Sequence, residues 1–364
     1  MPLPFPSQSY MEISRGALAE NARAVVSAVG VPVIGVVKCD GYGMKLSEAA
    51  AAWKSAGVKT FAVSDPAEAY ELRKCGFYAE DILLLTPVCD AETLRVMLDL
   101  GVTLTVTDYD CAAFYAAHRG GKRVRAHVAV DTGMGRFGTA WNDISGLLSV
   151  YSVAGIAYEG IFSHFSASFE GEYKLTKTQL ERFLKTVDAL TEQGVAVGIR
   201  HIANSCAALR FPETQLDAVR VGSALTGRTS APVPIKLHRV GVFRAAVVEK
   251  KILRKGDTTG YASVCRVKKD TPVAVVAIGH VSGFGLTKPE DNFRIHDLFA
   301  SVYHSVRDYP KQACVYFNGK PLPVLGRAGS QYTIIDATGS DIGVGDFVTA
   351  DVDVLQCKSE RRYV

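Results

Sequence analysis

Short runs of β-branched and apolar residues alternate with amphipathic stretches through the first two thirds of the chain. The eight apolar runs are Pro32–Lys38, Thr60–Asp65, Asp81–Pro87, Leu104–Asp108, Arg123–Asp131, Ile156–Ser166, Ile199–Ser205 and Asp217–Ser223. The amphipathic stretches between them include Leu46–Ala56, Pro66–Cys75, Ala91–Leu100, Asp110–Arg119 and Leu175–Gln193. Alternation of strand and helix repeated eight times predicts a (β/α)8 barrel. The alternative, a doubly wound open sheet, normally shows a glycine-rich turn after its first strand, and this chain has none there.

The pattern changes after Pro232, where strand-like runs follow one another with few helices between them. These runs are Val240–Val248, Pro272–Ile278, Gln312–Phe317, Tyr332–Ile335 and Phe347–Asp353, and one helical stretch, Asp297–Val306, interrupts them. The predicted fold class is therefore α/β, with an N-terminal (β/α)8 barrel followed by a mainly β C-terminal domain. We place the barrel at residues 10–232 and the second domain at residues 233–364, with residues 1–9 open to assignment to the second domain.

Composition argues against several classes of function. The chain has 364 residues, 48% hydrophobic and 21% charged, which is typical of a globular protein with more than one core. The net charge of +4 includes no basic tract, so a nucleic-acid partner has no support. No apolar run reaches membrane-spanning length, and the N-terminus lacks a signal-peptide pattern. The scattered cysteines favour reduced thiols in the cytoplasm, and the histidines show no metal-ligand spacing, so no metal is expected.

Polar residues occur where the predicted barrel strands end, which is the rim at which such barrels carry their chemistry. The first strand ends at Lys38, just before a turn that contains Tyr42. A lysine in this place can bind an aldehyde cofactor, because burial disfavours its ammonium form. Other candidates at or after strand ends are Arg136, His164, Asn204, Ser205, Arg220, Gly222 and Ser223. Each has an ordinary structural alternative, such as a surface arginine or a helix cap, but their coincidence at strand ends favours a site.

The segments that carry these residues resemble those of alanine racemase, a pyridoxal-phosphate enzyme of fold type III. The matching motifs are VVKCDGYG, HVAVDTGMGRFG, GIFSHFS, HIANSCA and RVGSALTG in the barrel, and GYASVCRV, GHVSGFG and GRAGSQYTIID in the second domain. They follow the family's order from about residue 10 to about residue 350. The resemblance implies a pyridoxal 5'-phosphate-dependent racemase that interconverts L- and D-alanine and forms a homodimer with composite active sites.

The resemblance also implies a role for each candidate. Lys38 binds the cofactor covalently and is one of two acid–base groups, and Tyr261 of the partner subunit is the other. Arg220 faces the pyridine nitrogen, and His164 links Arg220 to Tyr261. Arg136 orients a phenolate or the substrate carboxylate. The remaining cofactor-binding residues are Tyr42, Asn204, Ser205, Gly222 and Ser223.

Racemisation agrees with the chemistry of these residue types. Inverting a chiral carbon needs a base on one face and an acid on the other. Lysine and tyrosine both have ordinary pKa values of about 10, so each pKa must be shifted for work at neutral pH. An arginine beside the pyridine nitrogen keeps that nitrogen unprotonated and weakens electron withdrawal. Arg220 is therefore the main argument for racemisation over transamination or decarboxylation.

Four features depart from the family pattern. Ala129 stands where the family often has a carbamylated lysine, His280 where it has a gating tyrosine, and Ser330-Gln331 where it has a Met-Asp pair. The C-terminal stretch is also shortened, which leaves open whether Tyr363 replaces an active-site tyrosine. Since Ser330, Gln331 and His280 belong to the expected substrate-binding surface, we predict retained cofactor chemistry with an altered or broadened pocket. Neutral drift is the alternative.

Three other interpretations stay open at this point. The first is a racemase for another amino acid, such as serine. The second is a different fold type III enzyme, although Arg220 and Tyr261 argue against a decarboxylase, and a missing histidine–cysteine pair argues against the metal-dependent branch. The third is a non-catalytic pyridoxal-phosphate-binding protein. Such carriers resemble the barrel alone, whereas this chain keeps a second domain.

Overall fold

The computed structural model describes residues 7–169, 173–286, 314–352, 354–355 and 357–364. Contacts divide the chain into a unit Arg15–Val240 and a unit that joins Gly241–Val364 to the N-terminal segment ending at Ser14. These limits differ from the predicted limits at residues 10 and 232 because an N-terminal strand pairs within the second unit. The predicted helix Asp297–Val306, residues 312–313 and residue 353 lie outside the described residues.

Strands and helices alternate from the N-terminus to Val240. The strands are β1 (Ser9–Ile13), β2 (Val33–Val36), β3 (Thr60–Val63), β4 (Asp81–Leu84), β5 (Leu104–Val106), β6 (Val124–Asp131), β7 (Thr139–Ala140), β8 (Ile156–Phe162), β9 (Ile199–His201) and β10 (Val219–Val221). The helices are α1 (Arg15–Ala28), α2 (Lys38–Tyr42), α3 (Leu46–Ser55), α4 (Pro66–Lys74), α5 (Ala91–Asp99), α6 (Tyr109–His118), α7 (Ile144–Tyr151), α8 (Lys174–Glu192) and α9 (Ser205–Arg210). Short 3-10 turns lie at Pro212–Thr214 and Ser223–Thr226.

Eight parallel strands close into a ring. Four of them lie in the order β10-β2-β3-β4, and the other four in the order β5-β6-β8-β9. A parallel bridge between Leu83 and Thr103 joins β4 to the segment that enters β5. The N–H of Arg220 donates to the carbonyl of Ala203 at 2.9 Å, which joins β10 to the segment after β9. Each strand of the ring falls in one of the eight predicted runs, so the barrel prediction is confirmed.

The barrel folds this way because apolar runs form its strands and because four of its helices begin at aspartate caps. All four residues of β2 are buried, as expected for a parallel strand covered by helices. Asp65, Asp90, Asp108 and Asp143 each precede a helix and accept a hydrogen bond from a backbone N–H in its first turn. Three of these aspartates, Asp65, Asp90 and Asp108, follow a barrel strand after a short loop. Each short loop connects the end of a strand directly to a capped helix, which holds the rim in place.

The second unit is mainly β, as predicted. Its strands are β11 (Gly241–Leu253), β12 (Thr258–Thr259), β13 (Cys265–Arg266), β14 (Thr271–Val276), β15 (Cys314–Phe317), β16 (Lys320–Pro323), β17 (Thr333–Asp336), β18 (Phe347–Ala350) and β19 (Glu360–Tyr363). The main sheet has the order β16-β15-β18-β11-β1-β19, and β14 pairs with both β11 and β17. Strand β1 runs antiparallel to β11 and parallel to β19, which brings residues 9–13 into this unit.

In the part of the chain that the structure describes, no helix combines the length and the apolar character that crossing a bilayer would need.

Candidate active site

A cavity of about 260 Å³ lies at the end of the barrel where the parallel strands finish. The residues that line it include all nine barrel residues predicted for the site, which are Lys38, Tyr42, Arg136, His164, Asn204, Ser205, Arg220, Gly222 and Ser223. The barrel topology therefore gathers residues that are far apart in the sequence.

A left-handed turn presents Lys38 to the cavity. Strand β2 ends at Val36, so the prediction that Lys38 is the last residue of the strand was wrong. Residues 39–42 all have φ angles between 50° and 65°. A side chain in this conformation crowds the next carbonyl, at a cost of about 1–2 kcal/mol per non-glycine residue. Asp40 helps to hold the turn, because its Oδ1 accepts a hydrogen bond from the N–H of Leu46 at 2.9 Å.

Glu68 on α4 ties this turn to the neighbouring strand. One carboxylate oxygen accepts a hydrogen bond from the N–H of Cys39, and the other accepts one from the N–H of Ser64 at 3.0 Å. The residue next to Lys38 is therefore fixed to the end of β3. The sequence analysis missed Glu68. Its signal was the pattern Asp65-x-x-Glu68 at a helix start, in which such a glutamate commonly reaches back to backbone N–H groups.

Hydroxyl and backbone groups form a small cradle in the cavity. Ser205 Oγ accepts hydrogen bonds from the N–H of Gly222 at 3.1 Å and of Ala224 at 3.4 Å. The phenol of Tyr42 lies so close to Gly222 that an added Cβ would be 2.3 Å from its oxygen. Burial raises the pKa of Tyr42, so the phenol stays protonated and can donate a hydrogen bond. Protonated donors of this kind fit a phosphate group.

Asn204 is largely engaged in holding the protein around this cradle. Its Oδ1 accepts hydrogen bonds from the hydroxyl of Ser168 at 2.7 Å and from the N–H of Ala207 at 3.2 Å. Its Nδ2 donates to the carbonyl of Phe165 at 3.4 Å. Asn204 is thus the N-cap of α9 and positions Ser205, and its direct contact with a cofactor stays a prediction.

Substitution of Gly222 by alanine is expected to weaken pyridoxal-phosphate binding about tenfold or more, because the methyl group would push the Tyr42 phenol out of the cradle and overpacking costs about 1–3 kcal/mol. Fluorescence titration of the cofactor-free protein measures this affinity. The matched control is Gly30→Ala, where an added Cβ has its nearest neighbour 3.8 Å away. Equal affinity in the two variants would contradict the role assigned to the cradle.

Arg220 is the buried cation of the site, with 3% of its surface exposed. One guanidinium nitrogen donates to Nδ1 of His201 at 2.7 Å, and the other donates to Nδ1 of His164 at 3.0 Å and to the carbonyl of Ser163 at 2.6 Å. Among the described residues, no carboxylate forms an ion pair with it. Burial, and then the nearby Arg136, lowers the pKa of Arg220 to about 9, so the group stays cationic at neutral pH.

Two histidines behind Arg220 were missed by the sequence analysis. His127 and His201 are both buried, and Nδ1 of His127 lies 2.8 Å from Nε2 of His201. Burial, and then Arg220, lowers the pKa of His127 to about 4 and the pKa of His201 well below its ordinary value. The same two causes lower the pKa of His164 to about 3. All three imidazoles are therefore neutral at physiological pH. The sequence could have indicated His127 and His201, because each lies in a strand that leads to residues predicted for the site.

Acidification is expected to destabilise the protein through these histidines. Unfolded histidine has a pKa of about 6.5, above the folded value of about 4 for His127, so the unfolded chain binds more protons between these two pH values. The contribution to stability is complete above about pH 6.5 and is lost as the pH falls towards 4, by up to about 1.4 kcal/mol per pH unit for each histidine.

Urea unfolding of the cofactor-free protein at fixed concentration, between about pH 7 and pH 4.5, measures this slope. The variant His127→Asn should reduce it by about one proton, because asparagine does not titrate. Identical slopes for the two proteins would show that His127 takes up its proton as easily when folded as when unfolded.

The loop that carries Arg136 is closed by Asp131. Its Oδ1 accepts hydrogen bonds from the N–H groups of residues 133–135, at 2.8, 2.8 and 3.1 Å. The guanidinium of Arg136 lies 5.5 Å from the ring centroid of Phe137 and forms no ion pair within the described residues. Ala129 is buried and lines the same cavity. The chain therefore has a methyl group where the family often has a charged brace for this arginine.

Three predicted residues lie in the second unit, where Tyr261, His280 and Ser330 line another cavity of about 550 Å³. Tyr261 is 70% exposed. The N–H of His280 donates to the carbonyl of Gly329 at 3.0 Å. Nδ1 of His280 donates to the carbonyl of Phe284 at 3.1 Å.

Two further positions of interest lie elsewhere in the second unit. Gln331 is exposed, and it is not one of the residues that line the cavity around Tyr261. Tyr363 ends β19 and pairs with Ile13 of β1. The substrate-binding role of Gln331 therefore stays a prediction, and Tyr363 is placed as part of the sheet.

The residues of the barrel cavity fit pyridoxal phosphate. Lys38 supplies an amine for the aldehyde, and Arg220 supplies a fixed donor for a ring nitrogen. At Gly222 the absence of a Cβ lets the Tyr42 phenol approach the backbone, which gathers donors for a phosphate. Within the described residues, no group of three or more histidine, cysteine, aspartate or glutamate side chains is placed to share a metal ion.

Comparison with known proteins gives one consistent result. The family described as "Alanine racemase, N-terminal domain" matches residues 13–230, and "Alanine racemase, C-terminal domain" matches residues 240–357. The alanine racemase of Desulforamulus reducens is 32% identical over 285 residues, which cover 76% of each chain. The alanine racemase of Desulfosudis oleivorans is 30% identical over 360 residues, which cover 93% of this chain and 86% of that one.

The solved structures extend the similarity to the whole chain. The crystal structure of alanine racemase from Bacillus anthracis with bound L-Ala-P matches with a TM-score of 0.83 and 25% identity, and covers 100% of this chain and 96% of that one. The family matches span both units, and the two relatives share 32% and 30% identity with this chain over most of its length. The chain therefore belongs to the alanine racemase family of pyridoxal-phosphate-dependent isomerases.

Proposed function

We propose that this protein interconverts L- and D-alanine, with Lys38 and Tyr261 of the partner subunit as the two acid–base groups. The observation that carries the proposal is Arg220, a buried cation that no carboxylate pairs with in the described parts of the chain. An arginine placed beside the pyridine nitrogen of the bound cofactor would not protonate it, whereas a carboxylic acid would. A weaker electron sink favours the return of the α-proton over transamination.

The two acid–base groups act on opposite faces of the substrate. Bound pyridoxal phosphate supplies an electron-withdrawing ring that makes the α-proton of the substrate acidic. Lys38 Nζ removes or returns this proton on one face, and the phenol oxygen of Tyr261 does so on the other. In each turnover one group gains a proton and the other loses one, so the two groups exchange protonation states when the configuration inverts.

His164 connects Arg220 to this proton transfer. Because an arginine only donates hydrogen bonds, Nδ1 of His164 accepts and its proton lies on Nε2. An Nε2–H group can donate to a phenolate, which would stabilise Tyr261 in its charged form. Because its pKa is lowered, the imidazole of His164 stays neutral, so it connects Arg220 to Tyr261 by hydrogen bonds and adds no charge of its own.

This proposal requires a homodimer in which each site contains residues of both subunits. The exposure of Tyr261 supports it, since a catalytic phenol that acts within its own unit would be expected to lie in a closed pocket. Its turn is also strained, with φ angles of 60° at Ala262 and 49° at Ser263. Backbone strain of this kind is commonly found where a side chain must be presented for function.

Isotope exchange tests the proposal directly. The purified protein is incubated with pyridoxal phosphate and L-alanine in deuterated water, and both deuterium entry at the α-carbon and the D/L ratio are measured. We expect exchange together with formation of D-alanine. Exchange without D-alanine would indicate another fold type III reaction. No exchange with any amino acid, despite bound cofactor, would indicate a non-catalytic binding protein.

The second candidate is a racemase for a polar or larger amino acid, such as serine. It is favoured by the cavity around Tyr261, to which His280, Arg327 and Ser330 contribute polar side chains. We therefore propose a pocket broader than one for a methyl group alone. Initial rates of racemisation across a panel of L-amino acids test this, and strict preference for alanine would exclude it.

We also propose that the enzyme acts in the cytoplasm. All eight cysteines are free thiols in the structure. A protein of this size with eight unpaired thiols is typical of a reducing compartment.

A further inference from the structure

The strongest feature outside the predicted site is the chain of hydrogen bonds from His127 through His201 to Arg220. The distances are 2.8 Å from His127 Nδ1 to His201 Nε2 and 2.7 Å from His201 Nδ1 to the guanidinium of Arg220. Only 7% of His127 and none of His201 is exposed. His127 is not among the residues that line the cavity with Lys38 and the phosphate cradle, so the roles described above do not account for it.

The position of each proton in this chain follows from the inventory of donors. Arginine donates and never accepts, so His201 Nδ1 must offer a lone pair. A neutral imidazole carries one proton, which therefore lies on His201 Nε2 and is donated to His127 Nδ1. His127 in turn carries its proton on Nε2. The acceptor supplied by His127 and the donor supplied by Arg220 thus both stabilise the same tautomer of His201.

The barrel wall is shaped to allow the contact between the two rings. The register of β6 against β8 shifts between Ala126 and His127, so that His127 pairs with Gly160. An added Cβ at Gly160 would lie 2.7 Å from two ring atoms of His127. The irregular strand and the adjacent glycine therefore make room for this imidazole. A smaller apolar residue in a regular strand would not need that space.

We propose that His127 is a positioning residue which, by fixing the tautomer of His201, holds the guanidinium of Arg220 in the orientation that faces the cofactor ring. The proposal rests on the role proposed for Arg220. Without the acceptor on His127, the Nε2–H of His201 loses its partner in a buried site, and this cost favours moving the proton to Nδ1, where it would meet an N–H of Arg220. Two donors facing each other in a buried site cannot both be satisfied, so the guanidinium would lose this contact and shift on its remaining acceptors, which include the carbonyls of His201 and Ser163.

The test compares two substitutions of His127. His127→Asn places a carbonyl oxygen near the position of Nδ1 and keeps the acceptor, whereas His127→Leu removes it. We expect His127→Leu to weaken pyridoxal-phosphate binding about 10- to 100-fold and to lower kcat more than it raises KM, as for loss of a buried hydrogen bond to a charged group. His127→Asn should restore most of both quantities. Equal losses in the two variants would show a packing role and would overturn the proposal.

A second measurement does not depend on racemisation. Long-range proton–nitrogen NMR spectra of cofactor-free protein with labelled histidine report the tautomer of His201, assigned by comparison with His201→Asn. We expect the Nε2–H tautomer in the wild type and in His127→Asn, and a mixture in His127→Leu. An unchanged tautomer in His127→Leu would overturn the proposal even if the protein racemises alanine. The expected shift would support it even if alanine is not the substrate.

A double-variant cycle gives the final check. In a His201→Asn background, the acceptor for Arg220 is an amide oxygen, whose position does not depend on a proton at residue 127. The added substitution His127→Leu should then change cofactor affinity by less than about twofold. If His127→Leu weakens cofactor binding in this background as much as it does alone, the effect of His127 does not act through His201.

Discussion

Replacement of Lys38 by alanine is expected to abolish covalent attachment of pyridoxal phosphate and to reduce racemisation by at least about 10³-fold. The substitution removes both the amine that holds the aldehyde and the base on one face of the substrate. The phosphate cradle at Ser205 and Gly222 stays in place, so the cofactor should still bind, although less tightly. Borohydride treatment followed by mass spectrometry measures covalent attachment, and chiral separation measures the rate.

The control for this substitution is another lysine of the same unit. Lys59 is exposed, and its backbone carbonyl accepts a hydrogen bond from the N–H of Asp81 at 3.2 Å. Lys59→Ala should therefore leave attachment and rate unchanged. Borohydride labelling that persists in Lys38→Ala would show that another lysine holds the cofactor, and the assignment at the end of β2 would be wrong.

The sequence predicted the barrel and its catalytic rim because both follow from local pattern. Each strand of the ring is a short apolar run, and residues at the ends of parallel strands must meet at one edge. That rule was sufficient to bring Lys38, His164 and Arg220 together without any knowledge of distances. The family resemblance then supplied the roles, which spacing alone could not.

The features that the sequence did not predict depend on backbone conformation or on pairs distant in the chain. The turn after Lys38 was predicted, but its left-handed conformation was not, because it contains three non-glycine residues that rarely adopt positive φ angles. The contact between His127 and His201 depends on a register shift in β6, which no apolar pattern reports. Strand β1 was missed as part of the second unit because its partners lie more than two hundred residues away.

Tyr261→Phe is expected to leave the affinity for pyridoxal phosphate unchanged and to reduce racemisation about 10²- to 10⁴-fold in both directions. Phenylalanine keeps the ring but removes the hydroxyl that carries the proton. The matched control is Tyr78→Phe, because Tyr78 is exposed to 74% and Tyr261 to 70%. Fluorescence titration and chiral separation make the two measurements on the same preparations.

Isotope exchange in Tyr261→Phe separates the two faces of the substrate. The enantiomer whose α-hydrogen points to Lys38 should still exchange with deuterated solvent, since the base on that face is intact. The other enantiomer should exchange more slowly by the same factor as racemisation. If both enantiomers exchange at wild-type rates and invert normally, Tyr261 is not the second base.

The origin of Tyr261 in each site can be tested by mixing the two inactive variants. A heterodimer of Lys38→Ala and Tyr261→Phe has one site in which Lys38 and Tyr261 are both intact, provided that each site takes Tyr261 from the partner subunit. Random reassociation should then restore roughly a quarter of wild-type activity, because about half of the dimers carry one working site of two. If both residues of a site belong to the same subunit, every site in the mixture lacks one of them and activity stays at the level of the parents. Restored activity would therefore establish the composite site and the dimer that it requires in one measurement.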